Sequence, residues 1–308
     1  LADAAAIRVR AARTSGRVPR RAGGAARNGT ARLLTAPTIL SIVVLGAYPL
    51  VFILAAALTD STLGRPFQEW VGTANLETIL RDADVVASFA RTVAYAVVVA
   101  GVSVVLGVAI AVALERATRA GAVVRTLLLL PLITPPVVVG TLWKLVFNPG
   151  GGLLATLLPG LSLAPLSTTA WALPAIGLAD VWQWTPLIVI LVYAALLTQD
   201  PSVREAASLD GAHGTGLFRH ITWPAIAGTV IAALFIRLVI ALKVFDLVFV
   251  MTSGGPGQAS TVTTYLIQQV ALKEFDIGRA SAITLVFAVI VTVVTLVVAI
   301  FARKARHD

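Results

Sequence analysis

The sequence predicts an all-α membrane protein with about six transmembrane helices, and three observations predict it. Hydrophobic residues fill 58% of the 308 positions and charged residues 13%, about half the charge of an ordinary soluble domain. A soluble chain of that makeup would expose large apolar patches, which a bilayer removes. Six apolar stretches reach the roughly 20 residues that cross a hydrocarbon core at about 1.5 Å per residue. The basic residues gather on alternate connections between those stretches. The composition also excludes chemistry. The chain has no Cys, so it has no disulfide or thiolate metal site, and its three His residues (His213, His220, His307) are too scattered to hold a metal.

Residues 1–35 come first, with eight arginines by position 32: Arg8, Arg10, Arg13, Arg17, Arg20, Arg21, Arg27 and Arg32. Small residues fill the gaps between them. Such a segment cannot build a core and is expected to be a disordered cytoplasmic tail. Attraction to anionic lipid headgroups accounts for its charge better than nucleic-acid binding does. Its acid-poor composition is also that of an organellar transit peptide. The expected spans are residues 36–59, 92–114, 127–147, 170–197, 225–251 and 280–302, together a transmembrane domain over 36–302. The first contains Pro49, and no small-residue cleavage pattern follows it, so no signal peptide is expected. The second is uncharged. The third carries Pro131, Pro135 and Pro136, the fourth Asp180 and Pro186, and the fifth Arg237, Lys243 and Asp246. Prolines are tolerated inside spans because neighbouring helices can satisfy the freed carbonyls.

Charge sets the expected orientation. One set of connections holds the tail arginines, then Arg116, Arg119 and Arg125, then Arg204 and Arg219, then Arg303, Lys304 and Arg306. The other set holds few cations and the acids Asp60, Glu69, Glu77, Asp82, Asp84, Glu274 and Asp276. Basic loops stay inside, so both termini are expected in the cytoplasm, with residues 60–91, 148–169 and 252–279 outside. No Gly-x-x-x-x-Gly-Lys-Ser/Thr motif occurs, so ATP does not bind this chain by that route.

The most informative segment is residues 200–224. Asp200 suits an N-cap and Pro201 a first helical position. Ser202 to Leu209 is compatible with helix, and Gly211 can take the left-handed conformation that ends one. Phe218 and Ile221 fit one face of a second turn, and Pro224 opens the next span. A short helical knob is expected on the cytoplasmic side.

This loop resembles the EAA loop of bacterial ABC importer permeases: Glu205-Ala206-Ala207, Asp210-Gly211-Ala212, Phe218, Ile221 and Pro224 stand at the family's spacing. Met251-Thr-Ser-Gly-Gly-Pro-Gly257 resembles the Thr-Gly-Gly-Pro loop of the carbohydrate-uptake, maltose-permease-like group. The stretch from Tyr265 to Arg279 and that from Trp70 to Leu80 resemble segments of the same group. The Ala/Val/Arg bias suits a GC-rich actinobacterial genome, and the chain is similar to the trehalose-importer permeases of mycobacteria. The resemblance covers roughly residues 36–302. It implies a type I ABC importer transmembrane fold in a bacterial inner membrane and a subunit that catalyses nothing itself. It implies a heterodimer with a second permease and two ATPase subunits that hold ATP and Mg. An extracytoplasmic sugar-binding lipoprotein would deliver the solute. No cofactor and no nucleic acid are expected on this chain. Within the resemblance, residues 205–207 and 210–212 couple to the ATPase, with Glu205 the polar contact and Gly211 the sharp turn. Gly254, Gly255 and Pro256 would meet the binding protein.

The solute path is expected where ionisable groups sit at similar depth, because such groups in a span are functional candidates by default. Asp180, Gln183 and Trp184 share a helical face, and Lys243 and Asp246 are spaced i,i+3. Hydrogen-bonding groups beside an indole suit a sugar. The resemblance adds Leu187 on the fourth span and Ile240, Ala241 and Val244 on the fifth. Maltose-type permeases carry amides and aromatics at the latter three, so a fixed site on that helix is in doubt. Lys243 and Asp246 either face the solute or neutralise one another. Arg237 is expected to pair with an acid on the partner, and Lys144 to snorkel to the interface. Trp70 and Trp171 read as interfacial anchors, and Trp143 as an anchor or a lining of the outer mouth. A stand-alone secondary transporter would need a mid-membrane relay, for which Asp180 and the Lys243/Asp246 pair are the candidates. No nucleophile or metal-ligand set supports a membrane enzyme. Disaccharides, other oligosaccharides, polyols and glycerol phosphates all remain open as cargo.

Overall fold

The computed structural model describes residues 24–116, 121–158, 164–211 and 213–304. The chain divides into two units, residues 1–51 and 52–308. The first carries most of helix α1 (Gly24–Ala57), which contains Pro37 and Pro49. The backbone is already helical from Gly24, where an unstructured tail was expected; residues 1–23 lie outside the described residues. Side chains from Thr35 to Leu50 are exposed and mostly apolar, as suits contact with lipid or another subunit.

The second unit opens with a feature the sequence reading passed over. Strands β1 (Thr59–Thr62) and β2 (Arg65–Trp70) form an antiparallel hairpin with Thr62 opposite Arg65. Leu63 and Gly64 are its two-residue turn, a pair outside the Asn-Gly and Asp-Gly dipeptides that announce a hairpin. Helix α2 (Ala74–Arg81) follows, and α3 (Ala83–Arg116) begins well before the expected Thr92. The cause is a cap: Asp82 Oδ1 accepts from the backbone N–H groups of Asp84 (2.9 Å) and Val85 (3.3 Å).

The third span is not straight. Helices α4 (Gly121–Ile133) and α5 (Pro136–Val146) meet at a bend of 103°. Pro135 and Pro136 supply no amide protons, and each disfavours helix for the residue before it. After α6 (Leu153–Leu157), helix α7 (Ala172–Leu197) runs unbroken through Pro186. Then come α8 (Pro201–Leu209), the single turn α9 (Thr215–Leu217), a π-turn over Phe218–Thr222 and α10 (Trp223–Leu242). The fifth span also breaks, at residues 243–245, before the short α11 (Asp246–Met251). Helices α12 (Thr263–Leu272) and α13 (Ile277–Lys304) close the chain. Among the described residues, five helices are long and apolar enough to cross a membrane, or six if the bent α4–α5 pair counts as one span.

Three apolar clusters hold the second unit. One joins Tyr95, Val99, Ile176, Leu242 and Leu247 from α3, α7, α10 and α11. Another joins Val104, Ile188, Val192 and Val230 from the other halves of α3, α7 and α10. The third packs Ile79, Val85, Leu266 and Ile283 from α2, α3, α12 and α13. Helices α3 and α7 approach closely at Gly107, where an added Cβ would sit 2.6 Å from Ile188 Cβ.

Candidate coupling knob and solute passage

The knob forms as its local signals dictate. Asp200 Oδ1 accepts from the backbone N–H of Ser202 at 2.9 Å, and Pro201 starts α8. Bonds first from the Ser202 N–H and then from its hydroxyl hold the exposed Asp200 carboxyl below its ordinary range. Gly211, at φ +82°, ends the helix in the left-handed region. Glu205, Ala206, Asp210 and Gly211 are exposed, while Ala207 is buried. Ala212 lies outside the described residues. Phe218 lies near Trp223, with ring centroids 6.2 Å apart and planes tilted by 46°, where the π-turn leads into α10. The knob therefore sits at the head of a 20-residue helix, presenting the acidic side chains of Glu205 and Asp210 and a glycine turn.

That helix leads to a buried polar cluster. Arg237, fully buried on α10, brings Nη2 within 3.0 Å of Asp180 Oδ2 on α7. Its Nε donates to Ser103 Oγ at 3.2 Å, and the Tyr95 hydroxyl donates to the same Asp180 oxygen at 2.9 Å. The ion pair is close but poorly angled, and neither Arg237 Nη makes a hydrogen bond of good geometry. Buried charges must pair, and here the pair ties α3, α7 and α10 together.

Beside it lies a cavity of about 80 Å³. Seven of the expected pathway residues line it: Asp180, Gln183, Trp184, Ile240, Lys243, Val244 and Asp246. Pro136, Phe245 and Leu247 complete the wall. Leu187 and Ala241 do not line it, and Ala241 is packed in the core. Both broken spans end at this cavity, one at Pro136 and the other at residues 243–245. Gln183, 2% exposed, donates from Nε2 to the Thr134 carbonyl at 3.0 Å, and its Oε1 has no partner. The Thr134 carbonyl is one that the proline break leaves without an intrahelical donor. The Val244 carbonyl, at the other break, accepts from the Thr264 hydroxyl.

The loop after α11, expected to face outward, is built into the fold. Gly254, at φ +83°, is buried; an added Cβ would meet Thr261 Oγ1 at 2.6 Å and Tyr265 Cε1 at 2.7 Å. Thr252 Oγ1 and Ser260 Oγ lie 2.8 Å apart, and Ser260 Oγ donates to the Gly255 carbonyl at 2.7 Å. Gly255 and Pro256 are half-buried, so of the three expected contact residues these two offer surface and Gly254 shapes the turn.

The family described as the inner membrane component of binding-protein-dependent transport systems matches residues 103–307, a stretch that contains the whole knob, the Arg237–Asp180 pair and the loop after α11. The chain belongs to this family. It is 33% identical to the trehalose/maltose transport system permease protein MalF of Thermococcus litoralis, over 77% of this chain and 82% of that one. It is 31% identical to the trehalose transport system permease protein SugA of Mycobacterium tuberculosis, over 89% of each. It is 30% identical to the sn-glycerol-3-phosphate transport system permease protein UgpA of Agrobacterium fabrum, over 89% of this chain and 95% of that one. A solved bacterial ABC transporter involved in the import of the acidic polysaccharide alginate matches with a TM-score of 0.77 at 22% identity, over 91% of this chain and 96% of that one. The fold is thus that of a type I ABC importer transmembrane domain. The relatives are permease subunits, which are not themselves catalytic.

For this ABC permease, several expectations need correcting. Arg237 pairs with Asp180 of its own chain, not with an acid on a partner. Lys243 and Asp246 do not neutralise one another: the break at residues 243–245 removes their i,i+3 relation, and among the described residues no ion pair joins them. Lys144 does not simply snorkel, because its Nζ donates to the Val250 carbonyl at 3.0 Å. Trp143 lies 6.0 Å from Trp182, edge to face, and 5.3 Å from Phe147. Tyr95 and Ser103 were missed as partners of the charged pair. An acid and an arginine buried in two spans of one chain were the available signal, since each needs the other.

Proposed function

We propose that this chain is one of two permease subunits of a binding-protein-dependent importer for a disaccharide such as trehalose. The second permease completes the passage, two ATPase subunits hold ATP and Mg, and an extracytoplasmic lipoprotein delivers the sugar. Both termini face the cytoplasm of a bacterial inner membrane. The observation that carries this reading is the exposed knob, with Glu205 and the Gly211 turn standing at the head of α10. Closure of the ATPase pair moves the knob, and α10 carries the movement to the cavity beside Gln183 and Trp184.

The trehalose assignment is supported by MalF and SugA, whose names carry that sugar, and by an indole beside amide and charged groups in the cavity. Glycerol phosphate or another polyol is the competing cargo, supported by UgpA. A relay-driven secondary transporter is less favoured, because Asp180 is engaged by Arg237 and Tyr95. The test is a pull-down in mild detergent read by mass spectrometry, followed by thermal shift of the captured binding protein against a sugar panel. Glu205→Ala and Gly211→Asp should each cut binding-protein-stimulated ATP hydrolysis at least about fivefold, the low end of a typical coupling energy. Full uptake by either variant in an assembled complex would defeat the coupling assignment.

A further inference from the structure

The two broken spans do not end independently. Helix α5 starts and α11 starts at the same cavity, since Pro136, Asp246 and Leu247 all line it. The two short helices then pack together. An added Cβ on Gly140 would sit 3.1 Å from Val250 Cβ and 3.6 Å from Leu247 Cδ2, so these two side chains fill the space above the glycine. One turn along α5 from Gly140, Lys144 Nζ donates to the Val250 carbonyl at 3.0 Å. That carbonyl belongs to the last turn of α11, where helix carbonyls lack intrahelical donors and where positive charge is favoured.

Beyond α11 the chain enters the outward loop without a flexible joint. The Ser253 N–H donates to the Val248 carbonyl at 2.9 Å, and the Thr252–Ser260–Gly255 hydroxyl network braces the turn. A short helix held rigidly to a loop at one end and opening on a cavity at the other transmits displacement along its axis, over about 9 Å for six residues.

We propose that α5 and α11 are a single gate body over the cavity and that Lys144 is the positioning residue that makes α5 follow α11. A push on the outward loop displaces α11, the Lys144–Val250 tie carries α5 with it, and the wall at Pro136 moves. Gln183 holds the stationary side through the Thr134 carbonyl. This inference rests on the reading of the cavity as the solute passage.

The test uses the assembled transporter with its own ATPases and binding protein. The chain has no native Cys, so introduced labels on it are unique. Spin labels go at Leu142→Cys on α5 and, separately, at Phe249→Cys on α11, each paired with Leu197→Cys at the far end of α7. All three positions are exposed. Distances are read without nucleotide and after trapping with ATP and vanadate. In the otherwise native chain both distances should change together. With Lys144→Met only the Phe249 distance should change, and stimulation of ATP hydrolysis by the binding protein should fall at least about fivefold. Lys144→Arg, which keeps the donor, should restore both. Independent movement of the two labels in the native chain overturns the proposal even if Lys144→Met does not assemble. Joint movement and full stimulation in Lys144→Met overturn it as well. A Val244→Cys that no small thiol reagent reaches in either state overturns the passage reading, while the gate pair still stands or falls on the distances.

Discussion

Removing one member of the Arg237–Asp180 pair should harm the protein far more than removing both. The charges lie 3.0 Å apart with side-chain exposures of 0% and 4%. At an effective dielectric of about 20 their attraction is roughly 5–6 kcal/mol. Desolvating two ions costs several kcal/mol each, so the net worth of the pair is near zero. Breaking it is different: a lone buried charge typically costs about 3–5 kcal/mol. The two single variants should not be equal. Arg237→Met leaves a carboxylate that still accepts from the Tyr95 hydroxyl. Asp180→Asn leaves a guanidinium, which cannot shed its proton in a protein. Asp180→Asn should therefore sit at the upper end of the range and lower the melting temperature by on the order of 10 °C. Arg237→Met should lower it less. The Asp180→Leu/Arg237→Met double variant should return to within about 2 kcal/mol of the parent, since apolar replacement of buried pairs is often neutral. The assay is thermal unfolding of the purified complex in detergent, followed by size-exclusion recovery. Losses that simply add in the double variant would refute the pairing argument. An Asp180→Asn variant of unchanged stability but no uptake would move Asp180 from the scaffold to the solute path.

Gly107→Val should destabilise by about 1–3 kcal/mol, because even a Cβ there meets the Ile188 Cβ at 2.6 Å and α3 must separate from α7; thermal unfolding checks it, and a neutral result would mean the helices part without penalty. The Asp200 cap should weaken on acidification. Its carboxyl is held below its ordinary value in the folded knob, so its contribution is fully present above the ordinary carboxylate range and is lost as pH falls through the depressed folded value. Hydrogen exchange of α8 amides should speed up across that window, and Asp200→Ala, which removes the cap, should abolish the pH dependence.

The knob was legible in the sequence because its determinants are local. Asp200, Pro201 and Gly211 act through hydrogen bonds and backbone preferences of their own segment, and each does what its type predicts. The apolar spans were legible for the same reason. What escaped depends on chain segments far apart in sequence. Arg237 finds Asp180 only once α7 and α10 are side by side, and Lys144 finds Val250 across more than a hundred residues. The two breaks differ in kind. Pro135 and Pro136 announced the first, and the error was to treat prolines as tolerated where two adjacent ones remove successive donors. The second has no proline or glycine in Lys243-Val244-Phe245. A side chain from α12 stabilises it, because the Thr264 hydroxyl satisfies the Val244 carbonyl. No periodicity within the fifth span could have supplied that partner.

The distribution of breaks bears on how the proposed cycle works. Between the π-turn and residue 242, α10 is continuous, and Val230 and Ala233 lock it to α7 and α3 in one apolar cluster. Arg237 then crosslinks the same three helices at their polar centre. A rod so held cannot bend between knob and cavity, so displacement at α8 has to appear at its ends. Those ends are the compliant points: a π-turn at residues 218–222, a geometry frequent at functional sites, and the unwound residues 243–245. A charged pair with little net worth to stability has a use in this arrangement. It makes the rod a single piece, and in the proposed cycle a rod in one piece is what carries displacement of the knob to the cavity.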